Sequence, residues 1–296
     1  MFGLVLEVTH QPVSMLAKQA AYSLLYAVPS ILIVVVSLTA VVDKRTDART
    51  TEELLEFIEE RVPEELQPLL TEMVDEAIAK TSQSSAIVTA LISLGVAVWG
   101  GAGGAGALIY ANNLVYDVRD ERSWFRRTLL KLAMMLIGGL GVVVGFILFA
   151  FGSHIGEWIA GRSDRFPWLV EILSSGRGLS LVLVVGALSL LYVFGPDVEQ
   201  SIRWLLPGTL AATLAIAIMF VALDLVLGFW NPGSAFGAAS SVLILLWSLY
   251  VLSLIVVVGA VVNAYVARRF DPILTAYLAA HPGKRRDPSR DPERPT

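Results

Sequence analysis

LVLGFWNPGSAFGAASSVLILLWSLYVLSLIVVVGAVVNAYVA, residues 225–267, runs for 43 positions without a charged side chain. A membrane-crossing helix needs about 20 mostly apolar residues, because the hydrocarbon core is about 30 Å thick and a helix rises about 1.5 Å per residue. The stretch is therefore longer than one crossing requires. It is divided by Phe229–Trp230–Asn231–Pro232–Gly233, a turn with aromatic flanks of the kind that membrane–water interfaces favour. Downstream of the turn, 238–266 reads as one span. Upstream, 205–229 reads as another, broken in charge by Asp224 alone. The apolarity is continuous. Strands of a membrane barrel would alternate over about 10 residues. Helices, which satisfy their own backbone hydrogen bonds in lipid, are the reading that fits.

The same charge-free intervals recur upstream. They place further spans at about 17–42, 86–111, 130–152 and 178–196. The first is too long in its apolar part, and starts too far into the chain, to read as a cleaved signal peptide. Whole-chain composition agrees: 55% of the 296 residues are hydrophobic and 16% are charged. That leaves too little polar surface for a soluble protein and too much hydrophobicity for a disordered one. The absence of cysteine excludes a disulfide scaffold. A net charge of −4 offers no overall basic face to nucleic acid. The expected fold is an all-α polytopic membrane protein of six transmembrane helices over residues 1–270. Residues 271–296, Pro-rich and basic, read as a disordered cytoplasmic tail.

Segment 43–85 is too polar to span. It carries 12 acidic against 5 basic side chains. Its pattern is nonetheless helical: Thr50-x-x-Glu53 is a capping box, and Leu69, Leu70, Met73, Val74, Ala77 and Ile78 form a stripe after Pro68. It reads as a short amphipathic helical cap between spans one and two, on the extracytoplasmic side. Its acidity also fits a vestibule that concentrates cations. The side follows from the basic residues. Fourteen Lys and Arg fall on the side of the termini and eight on the other, so both termini are expected in the cytoplasm of a multi-pass inner-membrane protein. Besides the bilayer itself, Arg268, Arg269, Lys284, Arg285 and Arg286 are placed to meet anionic lipid. A homo-oligomer is compatible with the sequence but not required by it.

Gly101-Ala102-Gly103-Gly104-Ala105-Gly106 satisfies G-x-G-x-x-G, the dinucleotide fingerprint. The fingerprint needs a strand turning into a helix beside a parallel sheet, and here it sits inside a long apolar run. Close helix contact is the better physical reading. Gly100 and Gly104, with Ala102 and Gly106, set small residues on one face, and Gly141-x-x-x-Gly145 in span three offers a similar face. So many glycines also make a break in span two an open alternative, as in transporters whose broken spans hold the binding site. Asp224 is the clearest ionisable residue within a span. Its depth fits either a carboxylate at the outer interface or one on a pathway. His10, His154 and His281 lie in three different segments, so no metal site is expected. No hydrolase or phosphate-binding motif is present, and neither a catalytic residue nor a cofactor is expected.

Several blocks together resemble the YihY/virulence factor BrkB family, formerly mislabelled ribonuclease BN. They are Ala21-Tyr22 with Pro29 in span one, Asn113-Leu114-Val115-Tyr116 after span two with Trp124-Phe125-Arg126-Arg127 beyond, and Leu206-Pro207-Gly208 before span five. Phe236-Gly237-Ala238, Leu246-Trp247-Ser248-Leu249-Tyr250 and Gly259-Ala260-Val261-Val262-Asn263-Ala264 complete the series. Their order and spacing, over roughly residues 15–268, carry the likeness. Where the family commonly has Glu in the last block, this chain has Val261. The resemblance implies a six-span bacterial inner-membrane protein. It adds Asn113, Asn263 and Tyr22 to Asp224 as candidate pathway or binding residues. For the two asparagines the alternative is a helix cap or an interhelical hydrogen bond. Pro29, Gly100, Gly101, Gly103, Gly104, Gly106, Pro207, Gly208 and Gly237 are candidates for helix packing or hinges. The leading functional expectation is a transporter or exporter-like bundle for a small solute, ion or lipid. A non-transporting envelope-integrity or scaffold protein is the alternative, and a membrane ribonuclease is the weakest reading.

Overall fold

A computed structural model describes residues 13–27, 67–81, 86–138, 176–229 and 239–285, together with isolated positions between 52 and 59. Pro29, Gly141, Gly145, Gly237, His10 and His154 lie outside the described residues. In chain order the helices are α1 (13–27), α2 (Gln67–Thr81), α3 (Ala86–Val115), α4 (124–138), α5 (Gly176–Phe194), α6 (Leu206–Phe229), α7 (Ala239–Phe270) and α8 (Pro272–Ala280). A 3-10 turn, Ile202–Leu205, leads into α6, and another, Pro282–Lys284, follows α8. Among the described residues there is no strand, only an isolated antiparallel bridge between Val118 and Arg285.

The described residues are helical apart from short connections, and three stretches among them are long and apolar enough to cross a membrane: Leu94–Val115, Ile202–Leu223 and Ser240–Phe270. Val182–Phe194 is a shorter apolar helix. The expected first and third spans are described only over 13–27 and 124–138, so their full crossings lie outside the described residues. The exposed side chains of α6 explain its composition. Leu206, Leu210, Leu214, Ile218, Val221 and Leu225 recur every three or four residues and are all exposed. Thr209, Ala212, Thr213 and Ile216 are buried. A large apolar stripe facing outward is what lipid, rather than water, would cover.

The chain divides into two compact units. One comprises Ser14–Ala107 and Ile216–Leu254. Within it the glycines of α3 lie against α1. A Cβ at Gly100 would stand 3.0 Å from the Ala27 nitrogen and the Ser23 carbonyl, and one at Gly104 would stand 2.9 Å from Leu24. A Cβ at Gly103 would meet the Ser23 hydroxyl at 3.2 Å. The small-residue face lies in close contact with α1, while the Gly141 and Gly145 face is outside the described residues. The expected alternative of a break is not seen: α3 is one helix through all six residues of the glycine-rich motif. Gly101 is buried and Gly106 half-buried within it. Packing on α1 supplies the stability that the glycines cost the isolated helix. In the segment expected to form the cap, α2 buries Val74 and half-buries Leu69, Leu70 and Met73, while Glu72, Asp75 and Glu76 are exposed.

The other unit comprises Met1–Val13, Leu108–Ala215 and Ile255–Thr296. Residues 271–285, expected to belong to a disordered tail over 271–296, are instead a capped helix and a turn. Asp271 caps α8 by accepting a hydrogen bond from the Ile273 amide at 3.0 Å, and Pro272 occupies the first helical turn. Leu274 and Leu278, one turn apart, are buried. This short amphipathic helix is anchored because its cap also binds Ser201, through the Ser201 amide at 2.6 Å and its hydroxyl at 3.1 Å. Residues 286–296 lie outside the described residues.

Candidate functional site

The second unit concentrates its polar side chains where α3, α5, α6 and α7 end or begin. The carboxyl end of α3 sets the first of them. Val118 N donates to Asn113 O and Asp117 N to Leu114 O, both at 3.0 Å, and Asp117 takes φ 55. This is the helix-terminating arrangement in which a left-handed residue follows the last turn. It turns the chain sharply and leaves Asn112, Asn113 and Tyr116 buried.

Asn113 is fully used. Its amide donates to Ile109 O at 3.0 Å and to Gly195 O at 3.2 Å, and its oxygen accepts from the Asp197 amide at 2.8 Å. Arg122 reaches the same segment. Its guanidinium donates to the carbonyls of Phe194, Gly195 and Pro196 at 2.8–3.0 Å and lies 3.4 Å from the Asp197 carboxylate. These carbonyls lie at and just past the end of α5, where a cation is also favoured by the helix dipole. Lys284 completes the cluster, 3.0 Å from the Asp197 carboxylate and 2.7 Å from the Tyr277 hydroxyl. Burial alone would raise the Asp197 carboxyl. The Lys284 bond, the Glu121 amide and the Arg122 charge outweigh it and hold the carboxyl below its ordinary value. Burial opposes the Lys284 charge too, but the bonds to Tyr277 and Asp197 prevail and raise that ammonium above its ordinary value.

Asn263 acts between helices. Its side-chain oxygen accepts from the Gly208 amide at 2.7 Å, one of the first-turn N–H groups of α6 that lack a helical partner. Pro207, which has no N–H, stands in that first turn without loss. A Cβ on Gly208 would overlap the Gly259 carbonyl and the Asn263 side chain, and one on Gly259 would overlap the Tyr192 hydroxyl. The Tyr192 hydroxyl donates to Val256 O at 2.8 Å, and Gln200 donates to Tyr192 O at 2.9 Å.

Five buried polar atoms in this unit have neither a hydrogen bond nor an ion pair among the described residues: Asn112 Oδ1, Tyr116 OH, Gln200 Oε1, Trp204 Nε1 and Asn263 Nδ2. Gln200 stands beside the Tyr116 hydroxyl, yet no bond of good geometry joins them. Burial pushes the Tyr116 phenol up, against the nearby Arg268 charge. A buried polar atom left open costs free energy and marks a place for water, an ion or a ligand.

Of the expected site residues, Asn113 and Asn263 therefore lie in this polar region, Asn113 saturated and Asn263 half open. Tyr22 belongs to the other unit and is exposed on α1. Asp224 is a residue of α6, and its side chain lies outside the described residues. Among the residues expected to meet lipid, two have partners within the protein. Arg268 donates to Val115 O at 2.7 Å, and Lys284 is engaged as above. Arg268, Arg269 and Arg285 are all exposed, and Arg286 lies outside the described residues. The sequence reading passes over Arg122, Asp197, Gln200 and Tyr192. Their partners are 8 to 87 residues away, and no local spacing reveals them. Among the described residues no group of three or more His, Cys, Asp or Glu is placed to hold a metal ion.

Comparison with known proteins gives the family. A putative ribonuclease-like protein, YfkH of Bacillus subtilis (strain 168), is 25% identical over 259 residues, which cover 86% of this chain and 90% of the relative. No solved structure matches. The family model for virulence factor BrkB matches residues 4–283. That match covers nearly the whole chain, α1 through α8 included, and the chain belongs to the virulence factor BrkB family.

Proposed function

We propose that this protein is a transporter or exporter-like bundle of the inner membrane, moving a small solute, ion or lipid, without an enzymatic step. The observation that carries the reading is the group of unpartnered buried polar atoms, Asn112 Oδ1, Tyr116 OH, Gln200 Oε1 and Asn263 Nδ2 among them, where apolar helices end or begin. Polar groups are expensive at membrane depth, and those kept without partners are the ones expected to meet a passing ligand or water. The test is flux in proteoliposomes of the full chain, with an entrapped pH dye, a potassium dye and, separately, a fluorescent phospholipid reporter. Tyr116→Phe removes a hydroxyl that forms no hydrogen bond of good geometry, so its melting midpoint stays close to the parent value. Under the transport reading its flux falls, and so does that of Asp224→Asn. No flux above empty liposomes with any reporter, or flux indifferent to both substitutions, counts against it.

A scaffold is the second reading. Asn113, Arg122, Asp197 and Lys284 saturate one another, as an architectural joint would. Crosslinking to an envelope partner together with absent flux would favour it. The name of the Bacillus relative includes ribonuclease-like; RNA cleavage that survives repurification would displace both readings.

The proposed orientation has six crossings, both termini inside and an acidic cap outside. Alkaline phosphatase fused after Asp75 is then active, and fused after Asp120 silent. The reverse pattern inverts the orientation.

A further inference from the structure

We propose that the groove between Arg203 and Arg269 is a binding site for the phosphate of an anionic membrane phospholipid. An open groove in the Leu108–Ala215 and Ile255–Thr296 unit has Arg203, Arg269, Phe270, Asp271, Pro272 and Thr275 among its walls. Arg203 lies at the start of the apolar stretch Ile202–Leu223 and Arg269 at the end of Ser240–Phe270. The two stretches run antiparallel here, since Gly208 meets Asn263 while Ala212 meets Gly259. Both arginines therefore mark the same end of two candidate spans, the level at which lipid phosphates lie.

Both guanidiniums are exposed, and among the described residues neither forms a salt bridge. Arg203 lies 5.2 Å from the Trp204 ring centre, and Trp204 stacks on Phe270 at 5.5 Å, so an aromatic shelf supports the charge. The negative group in the wall is already engaged. Asp271 Oδ2 accepts from the Ser201 amide, and Oδ1 accepts from the Ser201 hydroxyl and the Ile273 amide. Two forked donors with one committed carboxylate favour an anion with a net negative headgroup over a zwitterion. Exposed Ile202, Leu206 and Phe270 supply the adjoining apolar surface that acyl chains cover. This site is independent of transport: a protein that moves nothing would still hold the lipid.

The test titrates the purified full chain in detergent with dioleoyl phosphatidylglycerol, dioleoyl phosphatidylcholine or inorganic phosphate, counting bound lipid by native mass spectrometry. Phosphatidylglycerol is expected to bind at least about tenfold more tightly than phosphatidylcholine, and the R203Q/R269Q pair to lose about thirtyfold, with each single substitution intermediate. R119Q/R126Q removes the same charge from exposed positions outside the groove and is expected to retain the preference. Equal binding of the two lipids, an unchanged R203Q/R269Q pair, or an equal loss in R119Q/R126Q would overturn the assignment. So would displacement of phosphatidylglycerol by millimolar inorganic phosphate, which would make the ligand a free anion.

Discussion

Gly208→Ala lowers the melting midpoint of the purified protein in detergent by about 6 °C or more, reflecting a loss of about 3 kcal/mol. The added methyl overlaps the Gly259 carbonyl and the Asn263 amide, both held by their own helix. Neither is the flexible end of a long side chain that could rotate away. The clash is relieved only by parting α6 from α7, which stretches the 2.7 Å bond from the Gly208 amide to Asn263 and strips that first-turn N–H of its acceptor. Gly186→Ala in α5 is the matched comparison. Nothing lies within 4 Å of a Cβ there, and the residue is exposed. Only helix propensity acts, so this substitution leaves stability unchanged or raises it by up to about 1 kcal/mol. Opposite signs for one chemical change are the prediction. A Gly208→Ala protein as stable as its parent would show that the helix crossing is looser than described.

Apolar length is a local property, and it is where the sequence reads best. Spans expected at 86–111, 205–229 and 238–266 correspond to α3, α6 and α7, with α3 and α7 each running about one turn further. The ends were harder because α3 stops without a glycine: Asp117 takes the left-handed position, which its short polar side chain tolerates. The α8 helix was legible in Asp271-Pro272 followed by Leu274 and Leu278, a cap, a first-turn proline and an apolar pair one turn apart. Tail composition outweighed that local signal. The glycine-rich face of α3 was readable as a contact surface, but its partner was not, because many faces of small residues compete in such a chain.

The polar region shows the limit differently. Asn113 and Asn263 drew notice as amides in an apolar context, and both are buried. Charged residues near span ends carry a topological meaning that hides any other. Arg122 and Lys284 count as signs of a cytoplasmic face, yet both bind Asp197, across 75 and 87 residues of chain. Arg268 and Arg269 are adjacent, chemically identical and both exposed, but helix rotation lets the first reach the Val115 carbonyl.

The joint around Asp197 gives the second large effect. Arg122→Ala removes donors from three consecutive carbonyls and a counter-ion from Asp197, at a cost of about 3 kcal/mol. Arg122→Lys does not restore the loss, because a single ammonium cannot span the carbonyls of Phe194, Gly195 and Pro196 as the guanidinium fork does. Pulse proteolysis in detergent reads both, and a lysine variant at full stability would mean that charge alone sustains the joint. Acid separates the carboxylate from the fork. A carboxyl held below its ordinary value contributes stability that is complete above the unfolded pKa of about 3.9 and is lost as pH falls through the lower folded value. Lys284, held above its ordinary value, contributes fully below the ordinary lysine pKa of about 10.4 and loses that contribution only as pH rises through the folded value. Both increments are thus intact at neutral pH. Asp197→Asn lacks the acid-sensitive one, so the stability gap between parent and variant narrows as the pH is lowered below about 4. A gap that stays constant through that range would mean that Arg122 and Lys284 hold the α5 terminus through its carbonyls and not through the carboxylate.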